Sequence, residues 1–368
     1  MSVKARPKIE GTEVATVSSS LWKRLLTLGP GLITGAADDD PSGISTYSVA
    51  GASTGFSMLW LALITTPMMA VVQGMCARIG LVTGCGLAAN IRKSVPLWLA
   101  YIIGTVVVIA NTFNVGADFA GMAASAHMVV PAVHTLLWDV VFGVGLLGAL
   151  IFLSYRRIAS ILKYLALTLF AYIVTAFIVH PDWPHVLRHL VVPEIHFTRT
   201  WITTAMGVLG TTITPYLFFW QSDLEVEEEK AQGRNTIADR RGASEEEIRH
   251  AHFDVNVGML FSNLVMFFII TTTALTLFVH GKTNIQTAQD AAQALRPLAG
   301  NAAYLLFMLG MVGTGLLAIP ALAGSSAYVA AGLLPLRRAS LDETPNRAPR
   351  FYSVLAAGVV IGALMPFL

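Results

Sequence analysis

Nine apolar stretches divide this chain, at about residues 28–52, 56–77, 97–125, 133–153, 160–180, 201–220, 253–279, 299–334 and 351–368. Each accommodates the roughly 20 residues of helix that cross a bilayer. Hydrocarbon offers no water to satisfy backbone N–H and C=O groups, so a succession of such stretches leaves helices as the spanning structure. With 55% hydrophobic and 12% charged residues, the chain carries about half the usual charge for a soluble domain. The expected fold class is an all-α polytopic membrane protein of about nine transmembrane helices. Its surroundings are the lipid bilayer, and no nucleic-acid partner is expected.

Charge along the chain sets the orientation, because cytoplasmic loops of membrane proteins are enriched in Lys and Arg. With the N-terminus inside, every one of the 24 Lys and Arg residues except Arg188, Arg199, Lys282 and Arg296 falls in an inner segment. A helix wrongly added or omitted would scramble that alternation, so the pattern supports a cytoplasmic N-terminus in the inner (plasma) membrane. The first twenty residues are polar and no small-residue cleavage pattern follows them, so the first span is expected to be retained. Cys76 and Cys85 read as small hydrophobes without a chemical role.

Dividing the spans five and four places spans 1 and 6 at equivalent positions crossing in opposite directions, which is the arithmetic of an inverted repeat. The domain reading is a cytoplasmic tail (1–20), a first repeat (21–200) and a second, incomplete repeat (201–368) containing a cytoplasmic loop (221–252). That loop has mixed charge and reads as a solvated linker with short helical pieces. Ser244 and Glu247 form a capping-box pattern at its end. Pro41 interrupts span 1 and Pro215 interrupts span 6 at matching depths. Paired interruptions of this kind point to the binding site of a transporter, where a broken helix frees carbonyls and half-helix ends.

Span 1 also carries Asp38, Asp39 and Asp40 directly before Pro41. An ionised Asp at the centre of a membrane helix costs about 2.5 to 3.5 kcal/mol, and no Lys or Arg lies in the central part of any span. A bound cation or water is left to compensate, and hard divalent ions such as Mg²⁺ take carboxylate and carbonyl oxygens. Asp40 is the first choice of ligand and Asp39 a further candidate. Asp38 is expected in a solvated vestibule. In span 6, Thr211, Thr212 and Thr214 precede the break. Pro215 lacks an N–H, which leaves the Thr211 carbonyl without its helical donor and makes Thr211 the second choice.

Asn111, Asn114, Asn256 and Asn263 read as interhelical hydrogen-bond formers. Asp118, which can titrate, is a candidate for the ion path. His180, His185, His189 and His196 share an outer segment at spacings that match no compact metal-ligand set, so the segment reads as interfacial, with Trp183 at the membrane boundary.

These residues resemble the Nramp (natural resistance-associated macrophage protein) family of divalent-metal transporters. The likeness runs from "GPG" (Gly29 to Gly31) through "DPSG" (Asp40 to Gly43) to Gly51, Gly55, Leu59 and Trp60, then Gly210 and Pro215, and "GTGLLAIPALAGSSAY" (Gly313 to Tyr328). It implies a LeuT-like inverted repeat with helices 1 and 6 broken, and a divalent cation as transported substrate rather than a resident cofactor. No enzymatic activity is implied.

Departures from the family pattern carry the specificity. Asp40 is kept, but Gly43 stands where the family has a metal-binding asparagine. Thr211 takes the place of an alanine whose carbonyl binds metal, and Thr214 that of a methionine whose sulfur does. Soft sulfur favours transition metals, so its loss shifts preference toward hard ions. Tyr216 replaces the family's histidine after the helix-6 proline, and Gly121 a glutamate three residues beyond Asp118, which implies weak or no proton coupling. The pattern is similar to the Nramp-related magnesium transporters. The metal ligands expected are therefore Asp40, Thr211, Thr214, Gly43 and Asp39, with Mg²⁺ or Mn²⁺ as cargo. The family continues for two or so more helices, so the second repeat is expected to lack its last member. Two other classes remain open: a LeuT-like carrier of an organic substrate, and a Mg²⁺-dependent intramembrane prenyl-diphosphate transferase. The latter needs two facing acidic clusters, whereas only the aspartate run lies at membrane depth in this reading.

Overall fold

The computed structural model describes residues 29–367 apart from 286, 335, 337 and 338, and the described residues form no β-strand. The tail 1–20, the start of the first span near Leu28, and the basic residues Lys4, Arg6, Lys8, Lys23, Arg24, Arg337 and Arg338 lie outside the described residues.

In chain order the helices are α1 (Pro30–Asp38), α2 (Pro41–Thr54), α3 (Leu59–Thr83), α4 (Leu87–Ser94), α5 (Leu97–Val129), α6 (Thr135–Phe152) and α7 (Tyr155–Leu165). A 3-10 turn at Ala166–Leu169 joins α7 to α8 (Phe170–Ile178), followed by α9 (Trp183–Val191), α10 (Arg199–Thr212), α11 (Pro215–Ala231) and α12 (Ile237–Arg240). Then come α13 (Glu245–Thr273), which ends in a π-helical turn, α14 (Ala288–Leu333) and α15 (Pro349–Leu364). Among the described residues, eight helical stretches are long and apolar enough to cross a membrane. The pair α1–α2 is not among them, since each half is shorter than a membrane crossing. The chain is thus a multi-pass membrane protein.

Both breaks fall where the prolines require them: α1 stops at Asp38 with α2 starting at Pro41, and α10 stops at Thr212 with α11 starting at Pro215. Each proline occupies the first position of its second half-helix, where a missing N–H costs nothing and a fixed φ suits the helix. The α14 helix bends at Gly300, whose φ of 84° lies in the region that favours glycine. Its membrane-crossing part therefore begins there.

Two helices form the centre. The membrane-crossing window of α13 is 78% buried and that of α14 72%, against 22% for α6. The α13 helix packs on α1, α2 and α3, while α14 packs on α5, α11, α15 and α2. Outward, Leu63 and Val71 on α3, Val106 and Phe113 on α5 and Val144 on α6 are exposed, a surface suited to hydrocarbon.

Backbone contact between α13 and the broken first span depends on glycine. A side chain on Gly31 would overlap the backbone of Asp254 and Val255, one on Gly35 the backbone of Gly258, and one on Gly258 the Gly31 carbonyl. Small residues that let backbones approach are the usual device for packing helices in membranes.

The segment 221–252, expected as a solvated linker with short helical pieces, is more helical than that: α11 runs to Ala231 and α13 begins at Glu245. Two of its acids are held inside protein. Glu227 is held by Lys230 Nζ at 2.8 Å and by Ser340 Oγ at 2.6 Å, and Glu229 by Arg234 at 2.8 Å. Mixed charge suggests solvent only until the partners are known. Burial opposes the charged form of Arg234, but its hydrogen bonds and ion pairs with Glu247 and Glu229 outweigh that and raise its pKa. The Ser244–Glu247 capping box is formed.

Candidate functional site

The first break places three carboxylates in protein rather than in water. Asp38, Asp39 and Asp40 are all buried, which corrects the expected solvated vestibule for Asp38. The two halves of the span pack against α13, α11 and α14, so the unwound segment has protein on its sides. Asp38 Oδ2 accepts a hydrogen bond from Ser262 Oγ at 2.7 Å. Neither carboxylate oxygen of Asp39 has a hydrogen-bond partner.

Asp40 is the N-cap of α2. Its Oδ1 accepts from the Gly43 N–H at 2.5 Å and from Ser42 Oγ at 2.8 Å. Asp118, reaching across from α5, accepts from the Ser42 N–H at 3.3 Å, and its other oxygen has no partner. Two acids thus share the N-terminus of one half-helix, where free N–H groups and the helix dipole favour negative charge.

Gly43 marks where these groups converge with the second break. A β-carbon built on Gly43 would lie 3.1 Å from Asp40 Oδ1, 3.2 Å from Thr211 Oγ1 and 3.5 Å from the Asp38 carbonyl oxygen. All three atoms are oxygens, and they come from both broken spans. Among the described residues, no three His, Cys, Asp or Glu side chains form a metal-holding group. A cation in this space would therefore be bound by one carboxylate together with hydroxyl, carbonyl and water oxygens.

Thr214 is buried at the start of α11, and its side chain caps nothing. Thr212 faces elsewhere: its hydroxyl shares a 3.0 Å hydrogen bond with Tyr47 and donates to the Met266 sulfur at 3.6 Å. Tyr216 donates to the Ala37 carbonyl at 2.6 Å. That carbonyl belongs to the last turn of α1, which has no helical donor, so Tyr216 ties one break to the other. A side chain on Gly121 would meet Pro41 Cβ at 3.0 Å and Met311 at 3.4 Å, and the Gly121 carbonyl accepts from Gln289 Nε2 at 3.0 Å. The space for a larger residue there is taken.

Sequence reasoning did not single out one stripe of α13. Asp254, Gly258, Ser262 and Met266 recur every four residues along it. Asp254 accepts from the N–H groups of Gly29, Gly31 and Leu32 at 3.1, 2.7 and 3.2 Å, capping α1. Gly258 admits the α1 backbone, Ser262 holds Asp38, and Met266 meets Thr212 at the end of α10. An acid, a glycine and a serine at four-residue spacing, running into the apolar part of the helix, are the signal that would have revealed it.

Of the other polar residues in the spans, Asn111 donates to the Leu322 carbonyl and Ser326 Oγ on α14, and Asn263 accepts from Thr65 on α3. Both link helices as expected, whereas Asn256 is exposed. The outer histidines do not form a metal site among the described residues. His185 meets Phe56 edge-on and His189 lies tilted over it, both with ring centroids 5.5 Å away, and Trp183 packs on Phe177 and Phe268. Both cysteines are free thiols.

Comparison with known proteins bears on the whole chain. The family model described as natural resistance-associated macrophage protein-like, Nramp, matches residues 31–368. The divalent metal cation transporter MntH of Yersinia enterocolitica is 28% identical over 301 residues, covering 80% of this chain and 69% of that protein. MntH of Erwinia tasmaniensis is 28% identical over 312 residues, covering 82% and 71%. Among solved structures, the Eremococcus coleocola manganese transporter matches with a TM-score of 0.75 at 20% identity, over 95% of this chain and 71% of that one. Mhp1, a nucleobase-cation-symport-1 family transporter, matches with a TM-score of 0.62 at 14% identity, over 92% and 72%. The fold is accordingly LeuT-like. By its extended match to the family model, this chain belongs to the Nramp family.

Proposed function

We propose that this protein carries a hard divalent cation, Mg²⁺ or Mn²⁺, inward across the plasma membrane by alternating access at the two helix breaks. The observation that carries the reading is the convergence of Asp40 Oδ1, Thr211 Oγ1 and the Asp38 carbonyl on the space above Gly43. In this reading Asp40 is the anionic ligand, Thr211 and Thr214 add oxygens, and Asp39 adds negative charge within the break. Gly43 brings no side-chain ligand of its own, which leaves a coordination position for a water that the cation keeps. Mg²⁺ dehydrates reluctantly, so an oxygen site with space for water suits it, and Mn²⁺ accepts the same ligands.

Asp118 lies on the ion path, beside α2. Tyr216 and Gly121 provide no titratable relay near neutral pH, so the cation moves with weak or no proton coupling. In this reading the N-terminus is cytoplasmic, which the distribution of Lys and Arg supports, and residues 21–200 and 201–368 act as the two repeats. The relatives named divalent metal cation transporter support a transporter rather than an enzyme.

Calorimetric titration of the purified protein with Mg²⁺, Mn²⁺ and Ca²⁺ tests the reading. Saturable heats are expected for Mg²⁺ and Mn²⁺, weakened at least tenfold, about 1.4 kcal/mol, by Asp40→Ala. Heats unaffected by Asp40→Ala, or displaced by amino acids and organic amines, would overturn it.

A further inference from the structure

A groove of about 280 Å³ lies between α6 and α7, and every residue that lines it is apolar. The two helices follow one another in sequence, yet both pack on α14 and hardly on each other, so Leu316 of α14 is part of the lining. Leu150 is buried in the depth of the groove, whereas Ile161 is exposed at its edge. Gly145 keeps the slot open, since a side chain there would meet nothing within 4 Å. The α6 helix is the crossing Thr135–Phe152, and α7 begins the crossing Arg157–Ile178. The groove therefore faces hydrocarbon, and its end at Leu153 lies at the membrane boundary, where lipid headgroups sit.

Charge at that end has one sign. From residue 140 to 181 the chain has no Asp or Glu, while Arg156, Arg157 and Lys163 all fall in α7. Arg157 is exposed, and among the described residues no carboxylate pairs with it. It precedes Ile161 by four residues, which puts it on the same face of α7, one turn nearer the boundary. An apolar slot that ends beside an uncompensated arginine fits an amphiphile with a hydrocarbon tail and an anionic head. Guanidinium matches phosphate geometry, and basic sites between membrane helices select anionic headgroups. A zwitterionic headgroup offsets its phosphate with its own ammonium and gains less there. We propose that the groove between α6 and α7 binds an acyl chain of an anionic phospholipid whose phosphate is held by Arg157. The site lies apart from the helix breaks and does not depend on which cation is carried.

Native mass spectrometry of the purified full chain, with dioleoyl phosphatidylglycerol or dioleoyl phosphatidylcholine added, tests the proposal. The wild type is expected to retain one phosphatidylglycerol with about fivefold preference over phosphatidylcholine, the scale of one basic residue at a membrane surface. Arg157→Gln should abolish that preference while leaving phosphatidylcholine binding unchanged. Gly145→Leu, which fills the slot, should weaken both lipids about tenfold, as for two methylenes expelled from it. Val144→Leu, on the exposed neighbouring position of α6, should change neither. Equal retention of the two lipids by the wild type, or a preference that survives Arg157→Gln, overturns the proposal whatever Gly145→Leu does. Phosphatidylglycerol binding unchanged in Gly145→Leu places the lipid elsewhere on the surface and overturns it too. So does displacement of the lipid by sn-glycerol 3-phosphate, because a headgroup contact alone would then suffice.

Discussion

At the scale of single residues, the informative positions are those where a large or ligating side chain is missing. At Gly43 three oxygens crowd the position a β-carbon would take, Thr214 is buried at the start of α11, and Gly121 is pressed against Pro41. Sulfur at position 214 would add a soft ligand. Thr214→Met is therefore expected to raise the affinity for Mn²⁺ relative to Mg²⁺ about tenfold, measured as the ratio of dissociation constants by titration. An unchanged ratio would mean that residue 214 does not face the cation. Asp40 and Pro41 were legible in the sequence because an acid and a helix breaker at membrane depth have few other uses. Ser262 and Met266 were not, because a serine and a methionine in an apolar helix are ordinary until the facing helix is known.

At the scale of elements, α13 organises the site. Its stripe of Asp254, Gly258, Ser262 and Met266 runs from the start of α1 to the end of α10. Rows at four-residue spacing form the ridges along which helices pack, so one row supplies a cap, a backbone contact and two polar contacts in succession. A methyl group at Gly258 would overlap the Gly31 carbonyl, whereas one at Gly145 on α6 meets nothing within 4 Å. Gly258→Ala is expected to cost about 3 kcal/mol, at the upper end of overpacking. Gly145→Ala should be neutral or gain up to about 1 kcal/mol of helix propensity. Thermal denaturation midpoints in detergent compare the two, and equal midpoints would contradict the close approach. The helix breaks could be placed from sequence because proline acts locally. The extension of α11 to Ala231 could not, because Glu227 and Glu229 are compensated by Lys230, Ser340 and Arg234, and only the fold makes Ser340 a neighbour.

At the scale of the molecule, two interrupted helices pack on a central pair of buried helices, and oxygens from both breaks converge at Gly43. The succession of membrane-crossing helices was legible because apolar length is a property of the whole chain, and the LeuT-like class because the sequence resembles the Nramp family. The burial of Asp38 and Asp39 was not, since it depends on how tightly α13 closes on α1. Uptake of Mg²⁺ into proteoliposomes carrying a luminal pH dye, compared between the wild type and Asp40→Ala, tests the central claim most directly. The wild type should accumulate Mg²⁺ without acidifying the lumen, and Asp40→Ala should lose at least tenfold in rate. Equal uptake by the two proteins would contradict the assignment of the cation to the helix breaks.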